Sequence, residues 1–148
     1  MIALNLPSAG LKIKEQNAKS FVFDRLRKQY VYLTPEEWVR QHFIHFLIEE
    51  KNYPEGRLAN EVYITMGNVS RRCDTVLYDL QLSPRMIIEY KAPSVTITQN
   101  VFDQILRYNI CLKVRYLILS NGLKHFCCKI EDNSYNFLKE IPEYGKIE

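Results

Sequence analysis

The sequence predicts an α/β fold: a mixed β-sheet flanked by helices and preceded by a β-rich N-terminal lead-in. Two observations carry this expectation. Apolar periodicity runs helix, three strands, helix, strand, strand along the chain. The first three strands are joined by short turns as a meander, and the next is reached only through a helical crossover, which yields a mixed sheet with helices packed on it.

The lead-in, residues 1–33, holds the aromatic and β-branched runs Phe21-Val22-Phe23 and Tyr30-Val31-Tyr32-Leu33, separated by the basic Arg25-Leu26-Arg27-Lys28. Thr34 then opens a helix as its N-cap, with Pro35 at the first helical position and Glu37 placed to complete a capping box. Trp38, Val39, Phe43, Phe46 and Leu47 form its apolar stripe, and Asn52-Tyr53-Pro54-Glu55-Gly56 stops it after about Lys51. Leu58 to Met66 reads as a strand with Val62 and Ile64 on one face and Glu61, Tyr63 and Thr65 on the other. Gly67-Asn68 turns the chain into a strand over Ser70 to Tyr78, and a loop from Asp79 to Pro84 leads to a third strand over Arg85 to Lys91. Thr98 caps a second helix that reaches about Leu112 and carries Val101, Ile105 and Leu106. Tyr116 to Ser120 and Lys124 to Ile130 are strands around Asn121-Gly122, a hairpin signal, and the tail holds a short turn near Tyr135 to Lys139.

A chain of 148 residues fits one domain and can bury a sizeable core. Hydrophobic and charged shares of 47% and 25% are ordinary for a soluble globular protein. No apolar run approaches the roughly 18 residues of a membrane span, and the N-terminus lacks a basic region before its apolar residues, so the expectation is a cytoplasmic protein without membrane contact. The net charge of +3 permits nucleic-acid binding without arguing for it. Among four cysteines no C-x-x-C spacing suggests zinc, and buried, reduced thiols are expected. His42 and His45, three apart on the first helix, read as partly exposed helix residues rather than a metal pair.

The residues that point to chemistry lie in Cys73-Asp74-Thr75-Val76-Leu77 and Met86-Ile87-Ile88-Glu89-Tyr90-Lys91. Glu89 and Lys91 share a strand face, roughly 6–7 Å apart. They stand at the end of an otherwise apolar strand, where charges are costly unless they serve a site. The bland alternative is a chance aspartate and a plain same-face ion pair on an exposed strand. Two carboxylates and an ammonium converging at a sheet edge would suit a divalent cation beside a phosphate, with magnesium favoured by hard oxygen ligands. Arg71, Arg72, Arg107, Lys113 and Arg115 lie near these motifs and could meet phosphates.

Taken in order, Thr34-Pro35-Glu36-Glu37-Trp38-Val39-Arg40-Gln41, Arg71-Arg72-Cys73-Asp74, Ile88-Glu89-Tyr90-Lys91-Ala92-Pro93, Gln104-Ile105-Leu106-Arg107-Tyr108-Asn109 and Tyr116 to Gly122 give the chain a resemblance. It resembles the PD-(D/E)xK nuclease superfamily, and more closely the N-terminal nuclease domain of type I restriction enzyme R subunits. Cys73 stands where the motif name has proline, and the chain ends before the helicase motor of those subunits.

The resemblance implies a restriction-endonuclease-like sheet, with residues 34–130 as nuclease core and 1–33 as extension of a single domain. It implies a DNA endonuclease dependent on magnesium, with manganese as a possible substitute. Asp74 and Glu89 would hold the metal and Lys91 would assist. Gln104 and Tyr108, four apart on one helix face, would support the site. A glutamate on the first helix often joins such sites, which makes Glu37 a catalytic candidate beside its capping role. Glu61 is a lesser candidate, and Arg40 and Gln41 match the pattern but could equally be solvated. DNA is the implied partner, and separate helicase, methylase or specificity subunits are compatible with the length. The alternatives are a non-cleaving nucleic-acid-binding module of this fold and an antiphage or toxin-like RNA nuclease.

Overall fold

The computed structural model describes residues 1–132 and 134–147. The described residues form two sheets, two α-helices and two short 3-10 turns. Strands β1 (Ile13–Gln16), β2 (Lys19–Asp24) and β3 (Gln29–Tyr32) form a small antiparallel sheet. Helix α1 (Pro35–Glu49) follows, and then β4 (Leu58–Met66), β5 (Val69–Tyr78) and β6 (Pro84–Tyr90). Helix α2 (Gln99–Ile110) crosses to β7 (Tyr116–Ser120), and β8 (His125–Glu131) and β9 (Ser134–Phe137) complete a six-stranded sheet in the order β4-β5-β6-β7-β8-β9. Its neighbours are antiparallel except β6 and β7, which run parallel, as the helical crossover demands. The α/β fold expected from the sequence is therefore present, β-rich lead-in included.

Alternation in β6 explains why the sheet has a helix on each face. Met86, Ile88 and Tyr90 pack with Val39, Phe43 and Leu47 of α1 in one apolar cluster, and Ile87 packs with Phe102, Ile105 and Leu106 of α2 in another. Both helices open on threonine caps: Thr34 Oγ1 accepts from the Glu37 N–H at 3.0 Å and Thr98 Oγ1 from the Val101 N–H at 3.2 Å. The Glu37 carboxylate, however, turns away from the cap toward neighbouring cations and Gln41, so only half of the expected capping box forms.

The inner face of the small sheet buries Val22 and Asp24 against the rest of the molecule, where Asn60 Nδ2 donates to both Asp24 oxygens at 3.0 and 3.2 Å. The N-terminal segment is also tied down, since the Asn5 N–H donates to the Gly122 carbonyl at 2.8 Å.

Several expectations need correction. β1 has no counterpart in the sequence reading, because Ile13 to Gln16 is exposed throughout. The turn expected near Tyr135 is instead the edge strand β9. Cys111 is exposed at the end of α2, whereas Cys73, Cys127 and Cys128 are buried as expected, and all four are free. His42 is buried, with Nδ1 2.8 Å from the Trp38 carbonyl, while His45 Nδ1 lies 3.3 Å from Arg25 Nη1, so the two serve separate neighbours. No helix of the described residues is long and apolar enough to cross a membrane.

Candidate active site

Asp74 and Glu89 follow directly from the β5–β6 register. Thr75 pairs with Ile88 and Val76 with Ile87, so the next pair outward is Asp74 and Glu89. The Tyr90 N–H donates to Asp74 Oδ2 at 2.9 Å, aiming that carboxylate across the strand end. Glu89 is buried, and its carboxyl is pushed up to about 8 by burial first and then by the charge and hydrogen bond of Asp74, against the opposing pull of Arg71. Two carboxyls in contact inside the protein cannot both ionise cheaply, so at neutral pH Glu89 keeps a proton that a cation would displace.

A backbone irregularity puts Asp74 within reach of both sheet faces. In a regular strand Cys73 and Thr75 would share a face. Here Cys73 packs in the α2 cluster, whereas Thr75 Oγ1 donates to Asn60 Oδ1 at 2.7 Å and accepts from the Tyr90 hydroxyl at 3.0 Å on the α1 side. Glu61 falls opposite Asp74 in the β4–β5 register and has φ of +57°, a left-handed conformation that costs a non-glycine residue roughly 1–2 kcal/mol. Strain of this kind persists only where the surroundings over-determine it. Arg40 Nη1, 2.7 Å from Glu61 Oε1, and Arg72 supply that constraint. Burial works to raise the Glu61 carboxyl, but the Arg40 hydrogen bond and the Arg40 and Arg72 charges hold it below the usual carboxylate range.

Arg40 is buried rather than solvated. Its Nε donates to Glu37 Oε2 at 2.9 Å and its Nη1 donates to the Asp74 carbonyl at 3.0 Å. Gln41 Nε2 also donates to Glu37 Oε2 at 2.9 Å, and Arg27 Nη2 reaches Glu37 Oε1 at 3.2 Å. Glu37 thus lines a pocket of about 230 Å³ with Asp74, Glu61 and Tyr90, yet both its oxygens are taken by neighbouring side chains. The structure gives Glu37 a part in holding Arg40, and Arg40 a part in holding the Asp74 backbone.

On the opposite, α2 side a cleft of about 300 Å³ is lined by Arg71, Lys91, Gln104, Ile105 and Tyr108. Three of the expected site residues, Lys91, Gln104 and Tyr108, therefore share one opening beside Glu89. Among the described residues the Lys91 ammonium has no ion-pair partner. Arg71 joins the two regions. Its Nη2 lies 3.1 Å from Glu89 Oε1, its guanidinium stacks 4.9 Å from the centre of the Tyr108 ring, and among the described residues its buried Nε has no hydrogen-bond partner. Tyr108 is 55% exposed, so that stacking faces the cleft rather than the core.

The donor set fits magnesium. That ion commonly takes one or two protein carboxylates and completes its shell with water and substrate phosphate. Asp74 and Glu89 offer two carboxylates side by side at the end of the β5–β6 pair. Among the described residues no group of three or more His, Cys, Asp or Glu is gathered as a cage for a more fully protein-bound ion.

The arrangement has relatives. Residues 35–142 match the family model described as the type I restriction enzyme R protein N terminus. A fragment assigned as an HsdR subunit of a type I restriction enzyme from Vibrio vulnificus YJ016 superposes with a TM-score of 0.58 at 16% identity, over 78% of this chain and 24% of that one. The chain thus spans about a quarter of that protein's resolved length, and at this identity the likeness concerns the fold alone. A cryo-EM structure of a DrdV–DNA complex matches more loosely, with a TM-score of 0.41 and 16% identity over 70% of this chain and 10% of that one. None of the curated proteins matches the sequence. With the family model covering β4 to β9 and both helices, the chain belongs to the family of type I restriction enzyme R protein N termini.

Proposed function

We propose that this chain is a magnesium-dependent DNA endonuclease domain of a type I restriction-like system, hydrolysing phosphodiester bonds in the cytoplasm. The observation that carries the reading is the contact between the Asp74 and Glu89 carboxyls at the end of the β5–β6 pair, beside a cleft lined by Lys91. Bound there, magnesium (or manganese) would neutralise charge building on the phosphate and make a water easier to deprotonate. Asp74 and Glu89 hold the ion, Asp74 being aimed by the Tyr90 N–H and the Arg40 guanidinium. Lys91 offers a compact positive charge to the attacked phosphate or to the attacking water. Gln104 and Tyr108 present an amide and a hydroxyl to the same opening, which Arg71 also lines. Glu37 acts at one remove as a positioning residue, through Arg40. Attack by water forms one P–O bond as the opposite P–O bond breaks, and the departing oxygen takes up a proton. Helicase, methylase or specificity subunits are the partners that this reading implies for the domain.

A supercoiled-plasmid nicking assay tests this, with magnesium, manganese or chelator, on wild type, Asp74→Ala and Glu89→Gln. Metal-dependent nicking lost in both variants is the expected result. Nicking by Asp74→Ala at the wild-type rate would refute the site. Cleavage confined to an RNA substrate would instead identify an RNA nuclease, and metal binding without cleavage of either would identify a non-cleaving module.

A further inference from the structure

The sheet β1–β3 lies wholly before residue 35, where the family match begins, and its outer face has a composition of its own. Alternation in β2 sends Val22 and Asp24 inward and Phe21 and Phe23 outward. Across β3, Phe21 meets Tyr32 and Phe23 meets Tyr30, with ring centroids 6.0 and 5.3 Å apart in edge-to-face contact. Tyr30 and Tyr32 are 39% and 54% exposed. On the β1 side the same face carries lysines: Lys14 Nζ stands 4.3 Å from the Tyr30 ring centre and Lys12 Nζ 5.5 Å from that of Phe23. Register places Lys19 on this face too. The neighbouring acids point elsewhere. Glu15 pairs with Ser20 on the reverse face and accepts its hydroxyl at 2.6 Å, and Asp24 is fully buried.

We propose that this outer face is a stacking platform for single-stranded nucleic acid, with Tyr30 and Tyr32 as base-stacking rings and Lys12, Lys14 and Lys19 as phosphate contacts. Four aromatic rings interleaved with cations and free of carboxylates match a ligand that presents a polyanionic backbone and exposed π-faces together. An apolar protein partner would have no use for the lysines, and duplex DNA hides its base faces in the stack. β3 ends two residues before Thr34, which lines the pocket beside Asp74 and Glu61, so a strand held on the platform enters the molecule next to the carboxylates. The inference goes beyond the proposed cleavage and does not require it, because none of these residues belongs to the Asp74–Glu89 site.

The test is fluorescence anisotropy on the full 148-residue chain in chelator, so that no cleavage intervenes. The probes are labelled oligothymidylate, oligouridylate of equal length and a DNA duplex. Wild type should bind a single strand more tightly than the duplex, and the comparison of the first two probes tells DNA from RNA. Each lost stacking ring is expected to weaken single-strand binding by about tenfold, so Tyr30→Ala with Tyr32→Ala should weaken it by about a hundredfold. Tyr32→Phe, which keeps the ring, should bind as wild type does. Lys14→Gln should reduce the slope of log affinity against log salt by about 0.7. Circular dichroism confirms that each variant is folded. Equal single-strand affinity in a folded Tyr30→Ala, Tyr32→Ala variant would overturn the proposal. So would a wild type that ignores the oligonucleotides but sediments as a dimer that the same variant breaks, since the face would then be a protein interface. Absence of plasmid nicking would count against the proposed cleavage and leave this binding measurement intact.

Discussion

If Glu89 keeps its proton until a cation arrives, metal affinity must depend on pH in a calculable way. Glu89 is pushed up to about 8 by burial and by Asp74. Below that value each bound magnesium has to displace one proton, so affinity climbs about tenfold per pH unit, or about 1.4 kcal/mol, and levels off above it. From about pH 6 to about pH 8 the ionised fraction rises from about one-hundredth to about one-half, which predicts a gain of about fiftyfold. The same shift sets the stability of the metal-free protein. A carboxyl whose folded value is raised stabilises the folded state fully below its unfolded value near 4.5, and that contribution is lost as pH rises through about 8. Metal-free melting temperature should therefore fall across that window, and magnesium should restore it. Isothermal titration calorimetry in buffers of different ionisation enthalpy reads the released proton directly. Glu89→Gln should bind magnesium weakly, flatten the metal-free pH profile and melt higher than wild type near pH 8. A wild-type magnesium affinity independent of pH between about 6 and 8, with no proton released, would refute this reasoning.

Lys91→Ala should abolish nicking while magnesium affinity by calorimetry stays within about twofold, because the ammonium supplies charge without coordinating a cation; loss of affinity would contradict this division of roles. Gln104→Ala and Tyr108→Phe should each slow nicking with little change in melting temperature, since exposed polar truncations usually cost within about 0.5 kcal/mol; unchanged nicking in both would leave the cleft without a role. Arg40→Ala should destabilise by about 3–5 kcal/mol in denaturant unfolding, because it leaves the buried Glu37 carboxylate short of its closest cation. Gly122→Ala should destabilise by about 1–3 kcal/mol, since Gly122 has φ of +84° and an added Cβ would come 2.7 Å from Leu4 Cδ2; relief by Leu4→Ala would isolate the steric part.

Features carried within one element were legible in the sequence, and features made by meetings between elements were not. The Thr34 and Thr98 caps, the β6 alternation and the Gln104–Tyr108 spacing depend on residues a few positions apart, and the structure has them. β1 escaped notice because its residues bury nothing and pair only with β2, leaving no apolar period to read. β9 likewise alternates weakly at a sheet edge. At the candidate site, the juxtaposition of Asp74 with Glu89 rests on a register fixed by β5 and β6 together, and the Arg71–Tyr108 stacking joins β5 to α2. The left-handed Glu61 has no signal of its own, since the position itself carries neither glycine nor asparagine. Arg40 looked like one more cation on a helix; only the fold shows that Glu37, Glu61 and the Asp74 carbonyl converge on it.

The hydrogen-bonded line Asp24–Asn60–Thr75–Tyr90 runs from the small N-terminal sheet through β4 and β5 to β6, which bears Glu89 and ends just before Lys91. Arg27, just beyond β2, reaches Glu37 by the same route. A chain begun at residue 35, where the shared family begins, would leave the Asn60 amide without its buried acceptor and open Val22's seat to water. The lead-in is thus a keystone rather than an appendix: residues that fall outside the family match are, mechanically, one abutment of the arch that holds the carboxylates in place.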